Sequence, residues 1–282
     1  MHTFRFNPVF RQWVLLGTSY AATPHIEKGH LLDVGRKGSL VAATHPRQPF
    51  LLEPSASSKD HDDLLYSGHS PVGEYELLLS TDKDPFYTWD AKAWEAWLEL
   101  AQIRVGQARH NPHLHHVNLT VHTGVAEAVE GGYQRVGDLI ATSHPLCGFA
   151  TLIDREMAAK MRVKENIFVV RDDADGTLIV PSAPLHQHEV WYLPKEARGS
   201  FADIAKKERK SLAKVLSLLL QELKAAYPHE EFLLSFHTAL LGSDLEHTWW
   251  LQIHRAEVGV ESPLAVQALP ELFVRKLHQI LT

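Results

Sequence analysis

A run of β-forming residues that ends in His-Thr and a small residue occurs twice in this chain. The first is Asn118-Leu-Thr-Val-His122-Thr123-Gly124, and the second is Leu234-Ser-Phe-His237-Thr238-Ala239. His122 and His237 stand 115 positions apart (237 minus 122). What precedes them also repeats. Glu74–Ser80 has the pattern of a strand, and apolar residues at three- and four-residue spacing (Trp89, Ala93, Trp97, Leu100) predict a helix from about Thr88 to Arg109. Thr88 or Asp90 is placed to cap that helix, and Asn111-Pro112 stops it before the strand Val117–Val121. In the second half, a strand at His188–Leu193 leads to a helix from about Phe201 to Ala226. Ser200 is placed as its cap with Asp203 three residues on, Tyr227-Pro228 is its stop, and Phe232–Phe236 is the closing strand.

The spacings match as well as the order. From Glu76 to His122 is 46 positions, and from Glu189 to His237 is 48. One strand–helix–stop–strand unit is therefore expected twice, over residues 1–160 and 161–282. Each unit continues into a further strand. His247–His254 alternates to put Thr248, Trp250, Gln252 and His254 on one face, and Ala141–Phe149 is its counterpart after the glycine-rich loop Glu130–Gly137. Arg171–Thr177 has the composition of a turn between short strands, and Leu269–Leu281 that of a closing amphipathic helix. The expected class is α+β, a mainly antiparallel sheet with one long helix per half.

Bulk properties exclude several functions. A net charge of −6 argues against a broad nucleic-acid surface, so an anionic ligand needs a local site. The single cysteine, Cys147, leaves no intrachain disulfide and no CxxC zinc knuckle. The first residues lack a signal-peptide pattern, and the longest apolar run, near Val215–Leu220, is too short to span a bilayer. A cytoplasmic protein with no membrane partner is the expectation. Histidine is abundant, at 19 residues, but many lie in stretches such as His110–His116 that suggest a solvated loop.

Two halves that each carry a strand ending in His, a glycine-containing loop and a later strand with polar residues at alternate positions resemble the histidine-triad fold. Duplicated in one chain, they resemble the galactose-1-phosphate uridylyltransferase-like family, with its sugar-nucleotide phosphorylases and adenylyltransferases. Arg5-Phe-Asn-Pro8 with Trp13-Val14 resembles the family's opening, Pro184–Lys195 the start of its second half, and Ser143-His144-Pro145 the place of its H-P-H-x-Q motif. The resemblance implies a nucleotidyltransferase or phosphorylase acting on a nucleotide sugar or dinucleotide, and a homodimer. In the family, the second histidine of that motif attacks the α-phosphorus and forms a covalent nucleotidyl-histidine.

Here the motif is His144-Pro145-Leu146-Cys147-Gly148. Leu146 stands at the nucleophile position, and Gly148 replaces the glutamine that holds phosphate oxygens. The family's early zinc-binding C-P-x-C falls on Gln48-Pro49-Phe50-Leu51, so the resemblance implies no structural zinc there. Its nucleotide-binding arginines fall on Tyr20 and Thr23. His237 and His254 match two histidines of its second metal site, for zinc or iron. Gln252 stands at a third ligand position, and Glu156 is a candidate to complete the set.

The candidate catalytic residues are therefore His122 and His144. The candidate ligand-binding residues are Tyr20, Gly124, Gly148, Trp250 and Gln252, and the candidate metal ligands are His237 and His254. A strand-end histidine bound to a neighbouring loop is the structural alternative for His122 and His237, and metal or phosphate contact is the functional one for His237 with His254. His186 and His188 form an HxH expected at a strand start, either on the surface or at a metal. Cys147 is expected to be a buried, inert thiol. One of Trp249 and Trp250 is expected in the core and the other along the cleft. Three functions are open: a divergent nucleotidyltransferase or phosphorylase, a non-catalytic nucleotide or sugar-phosphate binding relative (a pseudoenzyme), and a histidine-based metal protein.

Overall fold

The computed structural model describes residues 3–7, 12–16, 31–33, 40–44, 73–80, 85–109, 114–123, 128–129, 133–142, 153–163, 167–239, 247–256 and 269–281. Its elements in chain order begin with β1 (Thr3–Asn7), β2 (Gln12–Leu16), β3 (Leu31–Asp33), β4 (Leu40–Thr44), β5 (Gly73–Ser80), α1 (Ala91–Ala108), β6 (His116–His122), β7 (Ala128–Val129) and β8 (Tyr133–Thr142). They continue with β9 (Ile153–Asp154), α2 (Arg155–Met161), β10 (Val169–Asp172), β11 (Gly176–Ile179), β12 (Val190–Pro194), α3 (Lys206–Ala226), β13 (Phe232–His237), β14 (His247–Thr248), β15 (Trp250–Arg255) and α4 (Pro270–Leu281).

The two halves form one antiparallel sheet whose strand order reads outward from a shared centre. That order is β10-β11-β12-β15-β13-β6-β8-β5-β4-β3, with β7 on β8. β6 and β13 pair in the middle, and β8 and β15 flank them. β5 and β12 lie outside those, followed by β4 with β11 and β3 with β10. This is the expected α+β architecture of two tandem histidine-triad-like halves, joined strand to strand so that neither half exposes its innermost edge.

The seam is held by the threonines of the repeated His-Thr pair. Thr123 Oγ1 accepts from the Phe232 backbone N–H at 2.8 Å, and Thr238 Oγ1 donates to the Val117 carbonyl at 2.8 Å. Both threonines are buried, so these bonds satisfy backbone groups that water does not reach.

Alternation along the central strands separates two faces. Val117, Leu119, Val121, Leu234, Phe236, Leu251 and Ile253 point into one apolar core. α1 and α3 cover that face with Trp94, Trp97, Leu98, Leu212, Leu216 and Leu219. Trp97 packs on Phe236 at 5.7 Å between ring centres, and Phe201 packs edge-on against Trp249 at 5.3 Å. Between the helices, buried Arg209 donates to Gln102 Oε1 at 2.6 Å and to Glu99 Oε1 at 3.2 Å.

Asp90 caps α1, with Oδ1 accepting from the Lys92 and Ala93 N–H groups at 2.9 and 2.8 Å. Ser200 caps only a 3₁₀ turn at Phe201–Asp203. α3 starts later, at Lys206, where Glu208 reaches back to the Ala205 N–H at 2.6 Å. α3 ends at Ala226, two residues before Pro228.

Two further expectations change, and one lies partly outside the described residues. Most of the glycine-rich segment Glu130–Gly137 is strand, because β8 begins at Tyr133. The β8 pairing ends at Thr142, and residues 143–152 lie outside the described residues. His247–His254 is two strands, since Thr248 pairs with Ile153 in a separate ladder while Trp250, Gln252 and His254 belong to the main sheet. Among the described residues no helix is long and apolar enough to cross a membrane.

Candidate functional site

The face opposite the long helices is polar at the seam. Antiparallel pairing sets His237 opposite Asn118, Ser235 opposite Thr120, and Leu233 opposite His122. On the next strand, His237 faces Trp250 and Ser235 faces Gln252, and Gln252 in turn faces Trp191 on β12. Alternation also brings His116 to this side, two residues from Asn118.

His237 is 6% exposed, and its ring stacks on Trp250 at 4.3 Å and 26°. Its Nε2 lies 3.1 Å from Gln252 Oε1. The amide nitrogen of Gln252 donates to Glu189 Oε1 at 2.7 Å. Glu189, only 1% exposed, is the anchor of the group. Its Oε1 also accepts from Trp191 Nε1 at 2.6 Å, and its Oε2 accepts from the backbone N–H groups of Leu185 and His186 at 2.7 and 3.0 Å. Four donors satisfy a carboxylate that solvent does not reach.

Beside this chain lie three buried polar atoms with no hydrogen-bond partner among the described residues: His237 Nδ1, Asn118 Oδ1 and His116 Nε2. Trp94 Nε1, Arg209 Nε, His247 Nδ1 and Trp249 Nε1 share this property, but these three are grouped on the paired strands β6 and β13. Burial lowers the pKa of His116 from 6.5 to about 4. Burial likewise lowers His237 to about 4, against the raising effect of its Gln252 hydrogen bond, with His116 and His254 adding to the depression. Both imidazoles are therefore neutral at pH 7.

Other predicted residues fall differently. His254 stacks on His186 at 3.8 Å, and its Nδ1 donates to the Arg255 carbonyl at 2.7 Å. His186 and His188 do not share a face. β12 begins only at Val190, and His188 has a positive φ of 53° that turns it away. His188 instead meets Glu230 through Nδ1 at 2.6 Å and packs on Tyr227 at 4.0 Å. Glu156 is exposed and pairs with Lys160 at 2.8 Å. Both tryptophans are buried: Trp249 is in the main core with Phe201, and Trp250 stacks on His237 with its other side in a second apolar cluster with Ile153, Ala158, Ile179 and Leu193.

His122 ends β6 opposite Leu233. Tyr20, Thr23, Gln48, Leu51, Gly124, His144, Leu146, Cys147 and Gly148 lie outside the described residues. His116, Asn118 and Glu189 were not picked out from sequence as site residues. Counting back by twos from His122 reaches Thr120, Asn118 and His116, a signal present in the chain, whereas nothing local points to Glu189 as the partner of Gln252.

Among the described residues, no three His, Cys, Asp or Glu side chains are grouped to hold a metal ion. His237 and His254 are separated by four residues of ladder, since His254 faces Leu233. That is about 13 Å along the strands, with different partners at each end.

No protein-family model matches the sequence, and no curated protein does. Solved structures match over nearly its whole length. A uridylyltransferase structure is similar with a TM-score of 0.72 and 15% identity, covering 100% of this chain and 98% of the other. An ADP-glucose phosphorylase from Arabidopsis thaliana, with bound ADP-glucose, is similar at a TM-score of 0.69 and 16% identity, covering 99% of each chain. A galactose-1-phosphate uridylyltransferase-like protein from the same plant gives 0.68 and 14%, again with 99% of each chain covered. The chain has the fold shared by these proteins, the duplicated histidine-triad architecture.

Proposed function

We propose that this protein is a divergent nucleotidyltransferase or phosphorylase that takes a nucleotide sugar or dinucleotide on the polar face at the seam of its two repeat units, residues 1–160 and 161–282. The observation that carries this reading is the group of three buried polar atoms without a partner among the described residues, His237 Nδ1, Asn118 Oδ1 and His116 Nε2, beside the Glu189–Gln252–His237 chain. Trp191, half-buried and packed 4.9 Å from the buried Trp250 between ring centres, supplies aromatic surface on this face for a base or a sugar ring.

The ordinary nucleophile is replaced by Leu146, so covalent transfer would need another imidazole, and His122 or His144 is the candidate. A neutral imidazole can attack phosphorus because its lone pair is not held by a proton. The second reading is a binding protein that does not turn its ligand over, and Leu146 and Gly148 favour it. A zinc- or iron-binding role would use His237 or His254 singly, since four ladder positions separate them, and it requires further ligands from beyond the described residues.

Phosphorus NMR of the purified protein with UDP-glucose, ADP-glucose or a dinucleoside tetraphosphate, each with phosphate and a divalent metal, separates these readings. New resonances that grow in proportion to protein mean turnover. Shifted ligand lines with no new species mean the binding role, and unchanged spectra with every ligand overturn both.

A further inference from the structure

The direction of hydrogen bonding in the Glu189–Gln252–His237 chain is determined by its first member. A carboxylate only accepts, so Gln252 must turn its NH₂ toward Glu189 Oε1, at 2.7 Å. That leaves the Gln252 carbonyl oxygen facing His237 Nε2 at 3.1 Å. An amide oxygen accepts, so Nε2 must carry the ring proton. The other ring nitrogen, Nδ1, then holds a bare lone pair, and it is buried without a partner among the described residues. The stacked Trp250 ring and the 6% exposure of His237 restrict rotation of the imidazole out of this arrangement.

We propose that Glu189 and Gln252 are positioning residues that lock His237 in the Nε2–H tautomer, so that Nδ1 is presented to the ligand as an acceptor and receives a sugar hydroxyl rather than a phosphate oxygen. The choice of ligand group follows from donor and acceptor counting. Asn118, opposite His237 in register, also presents a buried oxygen with no donor among the described residues. Two adjacent acceptors repel phosphoryl oxygens and fit the O–H groups of a ribose or hexose. The hydroxyl half of the proposal rests on the nucleotide-ligand reading above, and the tautomer half does not.

The test is nitrogen–proton correlation NMR of the full-length, ¹⁵N-histidine-labelled protein at pH 7, with His237 assigned by the signal lost in His237→Gln. Without ligand, the proton is expected on Nε2, and a His237 protonated on Nδ1 overturns the proposal. In Glu189→Gln the new amide can donate or accept, Gln252 is free to flip, and an Nδ1–H population should appear. Gln252→Met serves the same purpose if Glu189→Gln does not fold. A tautomer unchanged in the folded variants overturns the positioning role.

Adding ADP-glucose should move the Nδ1 resonance in the direction of an accepted hydrogen bond, whereas inorganic phosphate should leave it in place. Calorimetric binding of ADP-glucose with Nδ1 unmoved overturns the hydroxyl contact alone. Absence of any sugar-nucleotide binding overturns the functional reading and leaves the tautomer result standing.

Discussion

Thr120 stands directly opposite Ser235 across the central β6–β13 pair. The two are 115 positions apart, the same offset as His122 to His237, Thr123 to Thr238 and Val117 to Phe232. The pairing therefore repeats itself about this one pair. His237 lies two residues beyond it on one strand and His122 two residues beyond it on the other. The repeated His-Thr motif is thus two things at once. Its histidines hold register positions about 13 Å apart along the ladder, with His237 on the polar face, and its threonines fasten the two halves together.

Removing either fastening should weaken the whole domain. Thr123→Val leaves the buried Phe232 N–H without an acceptor, and Thr238→Val leaves the Val117 carbonyl without its donor. Each should cost about 1–3 kcal/mol in urea denaturation. The two costs should add to within about 0.5 kcal/mol, because the sites share no partner. Unchanged midpoints in both variants would show that the seam does not depend on these bonds.

Gly176 is required for a packing reason. A Cβ added there would lie 2.1 Å from Tyr192 Cζ, so the phenol ring of the neighbouring strand occupies the space of any side chain. Gly176→Ala should destabilise the chain by at least about 1–3 kcal/mol. Tyr192→Leu in the same molecule should recover part of that loss, read as a partial return of the thermal midpoint.

Acid should loosen the site before neutral conditions do. His116 and His237 both move from 6.5 to about 4 in the folded state. Between those values the unfolded chain binds protons that the folded chain refuses. Their contribution is therefore fully present above pH 6.5 and is lost as pH falls toward 4, with a slope approaching about two protons. Denaturation midpoints measured from pH 7 to 4.5 should fall, and His116→Gln with His237→Gln should flatten the curve. A wild-type curve already flat over that range would contradict the burial of neutral imidazoles.

The periodic parts of this architecture were legible in the chain. Helix α1 and its Asp90 cap, the stop before Pro228 and the repeat offset all follow from local patterns. The departures have local physical causes. Ser200 and Asp203 look like the start of a helix, but Ile204 returns to extended backbone, and α3 begins only beyond it. His186 and His188 have strand spacing, but His188 adopts a positive φ that a residue with a Cβ rarely takes and that composition does not announce.

The site was legible in part. Trp250, Gln252 and His254 share a face as alternation requires. His116 was hidden in a histidine-rich stretch that looked solvated, yet it is 4% exposed. Glu189 is 63 positions from Gln252, and only the pairing of β12 with β15 brings them together.

The most direct test of the central claim, that the polar seam holds a sugar nucleotide, is calorimetric titration of the intact protein with ADP-glucose and UDP-glucose at pH 7, repeated with His237→Gln and Asn118→Leu. The account predicts saturable binding of at least one of them to the wild type, weakened tenfold or more in each variant that retains the wild-type thermal midpoint. Binding of equal strength in all three proteins, or none to the wild type, would contradict it.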